Sequence, residues 1–168
     1  KAEAITWCEK AANQGHPEAF NCIGTSYADG WDGTVNEKRA VLWYRRSMEA
    51  GSIDGLFNLA RAYMYGHGTE TDYEKGIHLL KKGSDLGDPG CQSLLAVAYA
   101  EGQGVEQNVK KSVYWTERAV RQGDLMLIGA LAHAYYHGIG VEQDYIESYA
   151  WHLLAWRLSG WYEFWDWR

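Results

Sequence analysis

The sequence predicts an all-α protein, a right-handed α-solenoid of antiparallel helix pairs with a 36-residue repeat. Three observations predict it. Tyr27, Tyr63, Tyr99 and Tyr135 recur every 36 residues, and Gly30, Gly66, Gly102 and Gly138 follow three positions behind them. Ile23, Leu59, Leu95 and Leu131 keep the same register, with the small residues Gly24, Ala60, Ala96 and Ala132 directly after them. Leu95, Ala98, Tyr99 and Gly102 then stand at i, i+3, i+4 and i+7, one face of a helix. A fixed period of this length marks a stack of one supersecondary unit.

Each element follows from the unit. A first-type helix runs up to the ladder glycine, which can adopt positive φ and stop it. A short loop leads to Asn36, Asp72, Asn108 or Asp144, residue types suited to N-capping a second-type helix. That helix carries Trp7, Trp43, Trp115 or Trp151, with Leu79 in the vacant step, and ends at Gly15, Gly51, Gly87 or Gly123. The predicted helices are 3–14, 17–29, 36–50, 53–65, 72–86, 89–101, 108–122, 125–137 and 144–158. Connections this short favour antiparallel neighbours. The chain reads as one domain, 1–168. It comprises a half repeat at 1–15, repeats at 16–51, 52–87, 88–123 and 124–160, and an aromatic segment at 161–168 expected to cap the open end.

Composition narrows the function classes. Hydrophobic residues make up 46% and charged residues 23%, with two prolines, which suits a packed globular chain. The net charge of −6, with no basic run, argues against binding nucleic-acid phosphates and suits a basic or neutral protein partner. The longest apolar-rich stretch, Leu125 to Tyr136, is too short to span a bilayer. Any signal peptide would lie upstream of Lys1, so cytoplasm, periplasm and secretion all stay open. Cys8, Cys22 and Cys91 are odd in number and form no C-x-x-C pair. The expectation is buried reduced thiols, with neither a disulfide framework nor a zinc site.

No catalytic residue, metal site or cofactor is assigned. The Gly-x-Gly loops at Gly66, Gly102 and Gly138 follow helices and lack the G-K-[ST] ending of a phosphate loop, so they read as punctuation. His133 and His137 share one helix face, but Ala134 stands where a zincin motif needs Glu and no third ligand is evident. No nucleophile, base and orienting acid assemble by spacing. The four ladder tryptophans are expected in the core. Trp31, at a loop tip, and Trp161, Trp165 and Trp167, in GWYEFWDWR, lie off the ladder and are candidate partner contacts.

The ladders resemble the Sel1-like repeat, a relative of the tetratricopeptide repeat with a slightly longer unit. The segments that carry the resemblance are AFNCIGTSYADG continuing to NEKRAVLWYRRSMEAG, then SLLAVAYAEGQGVEQNVKKSVYW, then ALAHAYYHGIGVEQDYIESYAW. The first loop, Gly30-Trp31-Asp32-Gly33, departs from G-x-G. The resemblance implies a bacterial adaptor that binds a protein or peptide on the concave surface of its first-type helices. Aligned on the tetratricopeptide pattern, that face carries Asn21, Thr25, Phe57, Arg61, Met64, Ser93, Val97, His133 and Tyr136. These positions vary between repeats while the ladders do not. The resemblance also implies alternatives: an immunity or inhibitor protein that neutralises a toxin, or a β-lactam-handling enzyme of the cysteine-rich subgroup. Cys91 occupies one of that subgroup's cysteine positions, but its expected partner position holds Ser84, and Cys8 and Cys22 lie off the pattern. End-to-end self-association is a further expected mode.

Overall fold

The computed structural model describes residues 2–31 and 33–158. Within that range it contains nine α-helices and no strand. They are α1 (Ala2–Ala12), α2 (Pro17–Ala28), α3 (Glu37–Glu49), α4 (Ile53–Tyr65), α5 (Tyr73–Asp85), α6 (Pro89–Glu101), α7 (Val109–Arg121), α8 (Ile128–His137) and α9 (Tyr145–Leu158). The chain forms two compact units, Lys1–Leu86 and Gly87–Arg168, and the division falls within one residue of an expected repeat boundary. Within each unit consecutive helices pack on one another: α1 through α5 in the first, α6 through α9 in the second.

The loops are built alike in every repeat. The backbone N–H of the capping residue donates to the carbonyl of the ladder tyrosine: Asn36 to Tyr27, Asp72 to Tyr63 and Asn108 to Tyr99 at 2.8 Å, and Asp144 to Tyr135 at 2.9 Å. Each capping side chain then accepts the backbone N–H three residues on, at 2.9–3.1 Å. The four predicted N-caps are therefore all in place, and each satisfies one of its helix's orphan donors. A cation then covers the tyrosine face in three of the four repeats: Arg39 over Tyr27, Lys75 over Tyr63 and Lys111 over Tyr99, at 5.2–5.6 Å. Gly102 ends α6 with φ 74°, a left-handed conformation that a side chain would resist, and its N–H returns to the Ala98 carbonyl. The loop that resembles a phosphate cradle is thus a helix stop.

Each unit has its own core. In the first, Ala40, Val41 and Tyr44 of α3 meet Leu59 and Ala62 of α4. In the second, Val113 and Val120 of α7 meet Ile128, Leu131 and Ala134 of α8, with Trp151 and Leu154 of α9 packed against them. The leucine ladder is buried at every step, and Ala60, Ala96 and Ala132 beside it have no exposed surface.

Three expectations are corrected. Cys8 and Cys22 are not reduced thiols but a disulfide that joins α1 to α2, with Cα atoms 6.1 Å apart. The two positions lie symmetrically about Gly15 in the α1–α2 turn, so an antiparallel hairpin brings them face to face. Cys91 is free and buried as expected, and burial pushes its thiol far above the ordinary range. Trp7 is not core: it is 66% exposed, with Lys10 over its ring at 4.4 Å. Its ladder mate Trp43 stacks on Phe20 of the preceding first-type helix. Finally, α8 begins at Ile128, three residues later than the pattern predicts. Ser52 and Asp88 cap α4 and α6 by accepting the N–H three residues on. Asp124 instead accepts the N–H of Met126, two residues on. That local turn competes with the first helical turn.

Candidate functional site

The first unit holds a cleft of about 260 Å³ whose walls come from α2, α3, α4 and the loop after α4. Thr25 and Asp29 contribute from α2 and its end, Glu37 and Tyr44 from α3, Asn58 and Arg61 from α4, and His67 from the loop. The ladder places these groups. The Tyr44 ring lies against Gly24, where an added Cβ would stand 2.6 Å from it, so the small-residue position admits the ring to the cleft floor. Burial raises the Tyr44 phenol above its ordinary value, a hydrogen bond with Thr25 partly offsets this, and Asp29 and Arg61 act on it with opposite signs.

A polar chain crosses from α4 to α2. Asn58 Nδ2 donates to Asn21 Oδ1 at 2.9 Å, and Arg61 Nη1 donates to Asn58 Oδ1 at 3.5 Å. The Arg61 guanidinium also stands over the Phe57 ring at 5.7 Å. On the opposite wall, Glu37 takes the His67 imidazole at 3.2 Å and the Gly68 backbone N–H at 3.1 Å. A backbone donor of this Gly-x-Gly loop is thereby already committed to a carboxylate of the same chain. Trp31 Nε1 donates to Asp29 Oδ2 at 3.2 Å, which puts the loop-tip indole at the cleft's edge. Asp29 and Arg61 line one cleft, yet no ion pair joins them among the described residues. One bond to Asn58 leaves most of the five guanidinium N–H donors of Arg61 unused by the hydrogen bonds described.

The structure thus brings Asn21, Thr25, Phe57 and Arg61 together, with Trp31 close by. Two expected groove residues are not available to a partner. Met64 is 3% exposed because it turns beneath α5, where its sulfur lies 2.6 Å from the position of a Cβ at Gly76. Ser93 has no exposed surface, since apolar and small residues surround nearly the whole circumference of α6. In the second unit Val97 is partly buried, and His133 and Tyr136 are exposed. His133 stands 4.4 Å from His137, and Tyr136 packs edge-on against His137 and Tyr145 at 4.7 and 5.4 Å. Among the described residues no group of three or more His, Cys, Asp or Glu could hold a metal ion. No described helix is long and apolar enough to cross a membrane. Trp161, Trp165 and Trp167 lie outside the described residues.

Asp29, Glu37, Tyr44, Asn58 and His67 escaped the sequence reading. Glu37 and Tyr44 sit on a second-type helix, which the pattern assigns to the core. Asn58 pairs with Asn21 across 37 residues, one step off the 36-residue register, so the ladder does not flag it.

Stacked helix pairs with one loop geometry define the chain as an all-α helical-repeat protein. It belongs to the Sel1 repeat family: the family model matches residues 1–16, 23–52, 53–88, 89–124 and 129–158. Members of this family commonly serve as protein-interaction scaffolds. Similar solved structures include a protective antigen of uropathogenic Escherichia coli with an SLR fold. It is 34% identical with a TM-score of 0.80, over 89% of this chain and 32% of that one. A Sel1 repeat protein from Oxalobacter formigenes is 29% identical with a TM-score of 0.82, over 91% of this chain and 61% of that one. This chain therefore spans about a third and three fifths of those two proteins. Helicobacter pylori cysteine rich protein B is 22% identical, with a TM-score of 0.56 over 73% of this chain and 88% of that one, a likeness of fold. No curated protein matches the sequence.

Proposed function

We propose that the chain is a binding scaffold that holds an extended protein or peptide segment against its first-type helices, with the cleft of the first unit as the principal contact. The observation that carries this reading is the cleft's chemistry. Arg61, stacked on Phe57 and steadied by Asn58, offers a preorganised fork for a carboxylate or a backbone carbonyl. Asp29 on another wall suits a basic side chain, in keeping with the net charge of −6. The Asn21–Asn58 amide pair presents the donor and acceptor types that bind a main chain. None of these groups forms a nucleophile–base pair, and the side chains differ between repeats on a scaffold that does not.

The test is selection from a phage-displayed peptide library, followed by affinity measurement on wild type and on Arg61→Ala and Asn58→Ala. Peptides selected by the wild type are expected to lose at least about tenfold in affinity on each variant, roughly the worth of one charge-assisted hydrogen bond. Unchanged affinity on both would remove the cleft from the binding surface. The same measurement on Tyr136→Ala asks whether the second unit contributes.

A further inference from the structure

The motif HAYYH at residues 133–137 takes no part in the cleft of the first unit. It lies wholly in the second unit, at the end of α8. His133 and His137 are one helical turn apart, and both are exposed. Their ring centroids stand 4.4 Å apart, with the planes tilted by 55°. The hydrogen bonds and ion pairs of the described residues engage neither imidazole. Two other histidines differ in this respect: His67 bonds to Glu37, and His152 to the Ser148 carbonyl. His137 is the last residue of α8, so the negative end of the helix dipole lies beside the pair and favours a cation there. Tyr136 packs edge-on against His137 at 4.7 Å and against Tyr145 at 5.4 Å, which supports the His137 ring from one side.

We propose that His133 and His137 together bind a transition-metal dication of the Ni²⁺, Cu²⁺ or Zn²⁺ class. Their separation fits the task. Two metal–nitrogen bonds of about 2.0–2.1 Å at a right angle put the imidazole centres about 4.5 Å apart, close to the separation of this pair. The donors select the class of ion. Imidazole suits zinc, copper and nickel, whereas magnesium and calcium take oxygen ligands. The helix supplies the chelate effect. Once one imidazole holds the ion, the other stands beside it at an effective concentration of at least about 1 mM. No third His, Cys, Asp or Glu joins them among the described residues. A structural zinc site uses four protein ligands, so this one is open and exchangeable: the ion keeps positions for water or for a donor atom of a bound molecule.

The experiment titrates the untagged chain with Ni²⁺ in a non-coordinating buffer, read by isothermal titration calorimetry. Four chains are compared: wild type, His133→Ala, His137→Ala and His78→Ala. His78 is exposed and has no histidine one turn away, so it reports what a lone imidazole contributes. Wild type and His78→Ala should each bind one ion with the same affinity. His133→Ala and His137→Ala should each lose at least about tenfold, because each forfeits the chelate. Without the ion all four Tm values should agree, since the three positions are exposed. With it, Tm should rise in wild type and His78→Ala alone, because the ion binds the folded pair. A wild-type chain that shows no saturable binding at millimolar Ni²⁺ would overturn the proposal. So would unchanged affinity in either His133→Ala or His137→Ala, because a single imidazole would then be the ligand. An equal loss in His78→Ala would overturn it too, by placing the ion elsewhere.

Discussion

The first and last described helices, α1 and α9, are both second-type, and they are built in opposite ways. On α1 no described side chain is fully buried, and the helix is fastened to α2 by the Cys8–Cys22 disulfide. On α9 Ser148 is buried, its hydroxyl donating to the Ala132 carbonyl at 2.9 Å, and Trp151 and Leu154 pack on the second core. Elsewhere on α9, Ile146, Tyr149 and Leu153 are exposed. A repeat array supplies each interior helix with a neighbour on either side, so its sequence need only keep register. Here α1 is held by a covalent link, and α9 carries exposed apolar side chains.

The comparison can be broken most directly through the interior. Leu59→Ala and Leu131→Ala remove buried ladder side chains and should each cost about 3–5 kcal/mol in denaturant unfolding. Ile146→Ala, at an exposed position of α9, should change stability by less than about 0.5 kcal/mol. An equal loss at Ile146 would show that this face of α9 is covered in solution.

Next in size is the disulfide. Cross-linking a loop of this length contributes about 3 kcal/mol in the chain-entropy model. Cys8→Ser/Cys22→Ser, or reduction, should therefore release α1 alone. Hydrogen exchange would rise in α1 and stay unchanged in α3 and α4. Release of the whole first unit would mean that α1 supports more of the core than its exposure implies.

Smaller still are the caps, which every loop shares. Asn108→Ala and Asp144→Ala should each cost about 1 kcal/mol, read as a fall in Tm. The Asp72 cap adds a pH dependence. The hydrogen bond from the Lys75 side chain, then that from the Lys75 backbone, lowers the Asp72 carboxyl below its ordinary value. Its stabilisation is thus complete above the ordinary carboxylate value of about 3.9 and disappears as pH falls through the lower folded value. Asp72→Asn keeps the cap acceptor but cannot titrate, so its Tm should fall less than wild type between pH 4 and pH 2. The smallest effect is at Cys91, whose buried thiol is held protonated. Thiol reagents at pH 8 should leave it unmodified in the folded chain.

Most of the helical architecture was legible because the repeat sets it. The four N-caps, the helix-stopping glycines and the buried leucines all sit where a 36-residue period puts them, and helix ends differ from expectation by a few residues at most. The misses share one cause. Trp7 is in register, but whether a ladder tryptophan is covered depends on a side chain of another helix, as Phe20 covers Trp43, and periodicity alone does not supply that contact. The α8 start depends on which backbone N–H the Asp124 carboxylate takes, a choice between two local geometries that a residue type alone leaves open.

The candidate cleft was half legible. Asn21, Thr25, Phe57 and Arg61 follow from the exposed face of first-type helices. Asp29, Glu37 and His67 come from helix ends and a loop, where the helical wheel assigns no face. Met64 and Ser93 were misplaced because a wheel knows the direction of a side chain but not how many neighbours surround the helix.

By itself the sequence determined the family, the unit and the order of helices, because period, caps and glycines act over a few residues and repeat. Only the tertiary structure decided which ladder residues find a partner, that Cys8 meets Cys22, and that Asn21 and Asn58 join across the cleft. Those outcomes rest on distances between residues 14 to 37 positions apart, and only the packing of one helix on the next determines such distances.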